Sequence, residues 1–305
     1  MLLHIAIIFV WIAFSLAFYL MVGLACRNMR PAPFIIVLYA YVRSAIDGHS
    51  RWRWYAFLFV VTLIVTTACL RLGIFLASLG DVWSVAVTAA TCLAVGYAAF
   101  IFVPMPEHVS RSKAILFRGA AIVVSLFAMC FYLFALVRFP NWLVRGIGTY
   151  ALAVPPLVWF RSVRIRSATV LLAAAAVYDA MHVFVTGWMQ EFMERIHYTT
   201  LVLRVPTECT LDANAMLSFG HGDVLGAGMV MVIAARAPER GHAATLIVST
   251  LFGTGLGFVV ATAITMVTHG LPALTVLGPC SCLGYAIGHL SSRSKRQTKT
   301  TPATG

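Results

Sequence analysis

Two of the ten acidic residues stand in the middle of apolar runs. Asp179 lies in AAAAVYDAMHVF and Asp223 in MLSFGHGDVLGAG, whereas the other eight fall in loops or at the ends of apolar segments. A carboxylate at mid-bilayer costs at least about 2.5 kcal/mol to insert, so an acid in such a place is a functional candidate by default. Two carboxylates brought together in low dielectric do not both ionise easily and share one proton. One member of such a pair can take a proton from water while the other gives one to a peptide carbonyl, a contribution of about 10² to 10⁴ in rate. Paired intramembrane acids also serve proton or cation transport. Residue type and spacing alone leave these two chemistries open.

The elements that must hold the acids are apolar. The chain of 305 residues is 61% hydrophobic and 10% charged, with a mean hydropathy of +0.91. A soluble domain carries about a quarter charged residues. Apolar runs of roughly 20 residues recur along the chain, the pattern of a polytopic helical membrane protein embedded in a lipid bilayer. The runs are continuous rather than alternating, which argues against a β-barrel. The net charge of +12 sits in short loops between runs, so it reads as topology-setting charge and not as a nucleic-acid footprint. The seven cysteines are scattered, Cys280-Ser-Cys282 lacks metal-ligand spacing, and no disulfide framework is visible. Neither a metal nor an organic cofactor is implied.

Nine spans are expected: His4–Ala25, Trp54–Ser78, Val82–Val103, Ala114–Val137, Trp142–Phe160, Ser167–Met189, Ala213–Ala235, His242–Thr268 and Leu271–Leu290. No basic residue precedes the first run while Arg27 and Arg30 follow it, so it reads as a retained helix and not as a signal peptide. Pro155-Pro156 interrupts the fifth span. Phe34–Val42 is apolar but too short to span and reads as an interfacial segment. Thr199–Val205, ending at Pro206, is rich in β-branched residues and gives a short strand signal. Sixteen Lys and Arg fall in loops on one side against four on the other. The fold class is therefore all-α, with the N-terminus lumenal or extracellular and the C-terminus cytosolic. Residues 1–291 form one membrane domain, with 142–291 as its functional core, and 292–305 form a disordered cytosolic tail.

On these boundaries Asp179 lies ten residues before the end of the sixth span and Asp223 ten residues after the start of the seventh. Both then sit about 15 Å below the outer face, and two antiparallel helices bring them face to face. Gly220 and Gly222 flank Asp223 without side chains and would let a backbone come close. Gly222 and Gly226 also form a GxxxG pair, which simple helix packing explains as well.

Three elements in order resemble the signal peptide peptidase and presenilin family of intramembrane aspartyl proteases: Tyr178-Asp179, then Gly220-His221-Gly222-Asp223, then Pro272-Ala273-Leu274. They fall on the sixth, seventh and ninth expected spans, and the likeness covers about Trp142 to the C-terminus. Orientation and a short loop between spans six and seven are similar to signal peptide peptidase rather than presenilin. The resemblance implies hydrolysis of peptide bonds within type II transmembrane segments such as signal-peptide remnants. Asp179 and Asp223 would be catalytic, and Pro272, Ala273 and Leu274 would shape the cleft. Transmembrane peptides would be the partners, a homo-oligomer is left open, and the endoplasmic reticulum membrane would be the location. On the same analogy Leu201, Val202 and Leu203 offer an edge to an extended substrate, against the plainer reading of a surface loop.

The chain departs from the family pattern at two positions. His221 stands where Leu is common and Leu271 where Gln is common. His221 could act on Asp223 or point away into a helix contact. His182, one turn beyond Tyr178, reads as a satisfied core histidine. Tyr178 is expected beside the acids, with no proton-transfer role. The rival functions are a catalytically silent relative that binds membrane segments and a proton-coupled transporter.

Overall fold

The computed structural model describes residues 2–27, 51–102, 111–139, 141–160, 163–189, 191–192, 201–206, 216–236, 243–268 and 273–300. Among the described residues stand nine helices: α1 (Leu2–Arg27), α2 (Arg51–Ala77), α3 (Asp81–Phe102), α4 (Arg111–Arg138), α5 (Asn141–Phe160), α6 (Ile165–Phe184), α7 (His221–Ala235), α8 (Ala243–Thr268) and α9 (Leu274–Thr300). Seven of them, all but α7 and α9, are long and apolar enough by themselves to cross a membrane. Large apolar side chains point outward along them, with Phe127 72% and Val137 83% exposed. So much outward apolar surface is made for lipid. The chain is an integral membrane protein, and two of the nine expected spans fall short of that standard by composition or length.

α7 is the centre. From Asp223 to Ala235 nearly every residue is buried, as a helix apolar on all sides requires. It touches α1, α5, α6, α8 and α9. Close approach comes from small residues. A Cβ on Gly228 would meet Leu157 and the Tyr19 ring, the latter at 2.9 Å, and one on Gly23 would meet Ala235 at 2.7 Å. Going from Tyr19 to Gly23 on α1 thus moves from Gly228 to Ala235 on α7, so the two helices run parallel. α8 and α9 run antiparallel, with Gly253 against Gly284.

Four expectations need correction. The seventh span does not start at Ala213: Met216–Gly220 is a strand, β2, and the helix begins only at His221. A short apolar run does not distinguish strand from buried helix, and here pairing decides. β2 is antiparallel to β1 (Val202–Pro206), with Val202 opposite Gly220 and Leu203 opposite Phe219. Among the described residues the fold is nine helices and one short hairpin, all-helical apart from that hairpin. Next, the sixth span ends at Phe184 rather than Met189. The N–H groups of both Val185 and Thr186 go to the Met181 carbonyl, and Gly187 takes φ +68°, a left-handed turn that suits glycine. Third, Pro155 and Pro156 do not interrupt α5, which runs unbroken through both. Fourth, the basic stretch after Leu290 continues α9 to Thr300 where disorder is expected; its Arg, Lys and Gln residues are good helix formers. Phe34–Val42, Thr199, Leu271 and Pro272 lie outside the described residues.

Candidate active site

α7 is short because β2 takes over its N-terminal end. Fifteen residues make about 22 Å of helix, less than the roughly 30 Å of a hydrocarbon core. Non-helical backbone is tolerated at such depth only where something satisfies it, and the β1–β2 ladder does so. The ladder runs on into the helix, since the His221 N–H donates to the Leu201 carbonyl at 2.9 Å. That bond makes 201 and 221 a hydrogen-bonded pair. Alternation then makes Val202 and Gly220 a non-bonded pair whose N–H groups point away from the hairpin. The Gly220 N–H indeed points elsewhere: it donates to Asp223 Oδ2 at 2.8 Å.

Asp223 is thus the third residue of α7, and Asp179 stands five residues before the end of α6. The sequence places both acids ten residues deep, whereas both lie near helix ends and the structure still pairs them. They are buried, at 8% and 9% exposure, and close enough to act on each other electrostatically. The backbone amide of Leu274 lies close enough to act on both carboxyl groups. Leu274 opens α9, and the first N–H groups of a helix have no partner within it. α7 and α9 therefore both turn the positive ends of their dipoles toward the acids. Asp179 Oδ2 is buried and has no hydrogen-bond partner among the described residues.

The flanking motif residues divide by task. Gly226 is a packing glycine: a Cβ there would collide with Leu274 and come within 3.1 Å of Leu172. Gly222 is exposed, and a Cβ there would find only Leu274, at 3.8 Å. A Cβ on Gly220 would meet Asp223 Oδ2 at 3.5 Å. Gly220 and Gly222 thus leave room beside the acids, and Gly222 and Gly226 both face Leu274, loosely at the first and tightly at the second. Ala273 and Leu274 are buried, and Ala273 starts α9 by accepting from the N–H of Leu277 at 2.9 Å. Leu203 is buried beneath Gly146 of α5, which anchors β1; Leu201 is half-buried.

His221 points away from the acids' open side. Its ring lies close enough to the Leu152 carbonyl to act on it, and its Nε2 is buried without a partner among the described residues, which leaves Nδ1 to face that carbonyl. Leu152 lies four residues before Pro156, whose missing N–H leaves that carbonyl free. The departure from the family pattern is a strut that satisfies α5. His182 is a satisfied core histidine: Nε2 meets Thr67 Oγ1 at 3.2 Å and Nδ1 meets Thr186 Oγ1 at 2.9 Å. It stacks on Trp188, whose other neighbour is the Arg71 guanidinium at 3.7 Å. Tyr178 packs edge-on against His182. These contacts fix the end of α6 next to Asp179. Among the described residues no group of three His, Cys, Asp or Glu could hold a metal ion.

The site is a buried carboxylate pair set between the helices of an integral membrane protein. The chain belongs to the signal peptide peptidase family, whose sequence model matches residues 5–295. The match takes in the first four helices, which the motifs alone did not reach. Among curated proteins none matches the chain significantly.

Sequence reasoning missed two contributors. Helix α1 reaches the centre through Tyr19, and nothing in an apolar run marks one tyrosine over another. The His221–Leu152 contact did have a signal, since the two prolines of α5 free two known carbonyls.

Proposed function

We propose that the chain is an intramembrane aspartyl endopeptidase that cleaves type II transmembrane segments such as signal-peptide remnants. The observation that carries the reading is the buried pair itself: two carboxylates on different helices, 8% and 9% exposed, lie close enough to act on each other, with the start of α9 beside both. Asp223 accepts a further backbone N–H, that of Gly220, while Asp179 Oδ2 has no partner among the described residues; on that difference Asp223 is taken as the base and Asp179 as the holder of the proton. Asp223 takes a proton from water as the water oxygen bonds to the peptide carbon, and Asp179 gives its proton to the carbonyl oxygen. The gem-diol then collapses. Its C–N bond breaks, the nitrogen takes the proton from Asp223, and a diol hydroxyl returns one to Asp179. The substrate extends along β1, using the outward N–H and carbonyl of Val202, and Gly220 and Gly222 let its backbone approach. The endoplasmic reticulum membrane, with the N-terminus lumenal, is the setting that the family and the loop charges support.

The test is the purified full chain in detergent with a type II signal-peptide substrate. Wild type cleaves, and Asp179→Asn and Asp223→Asn each lose at least about 10² in kcat. A folded wild type that cleaves no such substrate overturns the reading in favour of a silent binder of membrane segments.

A further inference from the structure

The first helix carries a group that its packing does not use. Tyr19 is fully buried, and its hydroxyl has no hydrogen-bond partner among the described residues. Its ring is well placed: it fills the space over Gly228 and meets the ring of Tyr150 edge-on. Phenylalanine would do all of this, and a buried hydroxyl without a partner opposes folding.

Direction supplies the explanation. A helical side chain leans toward the N-terminus of its own helix. α1 and α7 run parallel, so the Tyr19 hydroxyl leans from Gly228 toward the start of α7. Asp223 lies five residues, about 7.5 Å, along that axis. The rest of the neighbourhood is committed. Ser15 donates to the Trp11 carbonyl at 2.8 Å, so the short bond between Ser15 and Tyr150 uses the Tyr150 proton. The titratable groups acting on Tyr19 are Tyr150 and Asp223. Asp223 has one oxygen on Gly220 and further acceptor capacity unused.

We infer that Tyr19 is a positioning residue of the carboxylate pair: in the resting protein its hydroxyl donates to one bridging water, which in turn donates to Asp223. The inference rests on the proteolytic reading above. Tyr19 touches neither substrate nor the attacked carbonyl. It fixes the Asp223 carboxylate so that the free lone pair faces the attacking water. Helix α1 thereby becomes part of the catalytic apparatus.

The experiment compares wild type, Tyr19→Phe, Asp223→Asn and the double variant, as full chains in detergent, by kcat and KM on the signal-peptide substrate and by thermal unfolding. Tyr19→Phe is expected to lower kcat about ten- to hundredfold, the effect of losing a hydrogen bond to a charged group. KM and the unfolding midpoint stay within error of wild type or the midpoint rises. A kcat within twofold of wild type overturns the inference, as does a kcat loss that merely follows a fall in midpoint. Should wild type itself not cleave, the proteolytic reading fails and the midpoints alone decide the contact. Non-additive shifts in the double variant keep Tyr19 on Asp223, and additive shifts remove it.

Discussion

At the scale of single residues, the position that looked most like a defect is a repair. His221 stands two residues before Asp223, and its ring lies beside the Leu152 carbonyl, which Pro156 leaves without its helical donor on α5. His221→Leu therefore does not sharpen the site. It leaves the half-buried Leu152 carbonyl without that donor, which costs up to about 1–3 kcal/mol, and it frees the start of α7 from α5. The expected outcome is a lower unfolding midpoint together with lower turnover. Pro156→Ala supplies the missing N–H and should rescue His221→Leu, while costing little alone beyond the lost strut. A double-mutant cycle on thermal unfolding measures this, and additivity between the two positions would dismiss the strut. The same scale explains why Gly222 and Gly226, alike in sequence, differ: both face the Leu274 side chain, but only at Gly226 is there no room for a Cβ.

At the scale of elements, the acids were legible and their supports were not. An acid inside an apolar run announces itself through its insertion cost, and Asp179 and Asp223 needed no other signal. The ends of α6 and α7 are set by partners distant in sequence. Met216–Gly220 would extend α7 were it not paired with Val202–Pro206, and nothing local to Met216 says so. The strand signal around Val202 was readable because β-branched residues cluster there, but its mate was not. The corrected ends still leave the acids paired, because both helices shorten on the side where the acids sit. Pairing register also makes a sharp test of β1. The Val202 N–H points to the outer edge, so Val202→Pro removes a donor from that edge without removing a rung of the hairpin. If an extended substrate adds to this edge, Val202→Pro raises KM or lowers turnover at least several-fold while the unfolding midpoint stays put. Unchanged cleavage would leave β1 as a brace for α7 and nothing more.

At the scale of the whole molecule, the division into a catalytic second half and a supporting first half does not hold. Motifs confine attention to residues after Trp142, yet α7 is enclosed partly by α1, with Gly23 against Ala235 and Tyr19 against Gly228. α2 packs on α6, α1 packs on α7, and α3 and α4 pack on α5, so both helices that carry an acid lean on the first half. Stripping residues 1–140 would expose the Gly228 and Ala235 side of α7 and the Thr67 side of His182. Small residues buried against protein gain their stability from close packing, and lipid chains do not replace that fit. A fragment of residues 141–305 expressed alone should therefore be polydisperse by size exclusion and inactive. Co-expressed with residues 1–140, it should recover a single species in which the two fragments co-purify, because the break falls between α4 and α5 and severs no helix. Activity in the lone fragment would show that α7 needs no α1. Co-purification without activity would place the contribution of the first half in the alignment of the site and not in its assembly.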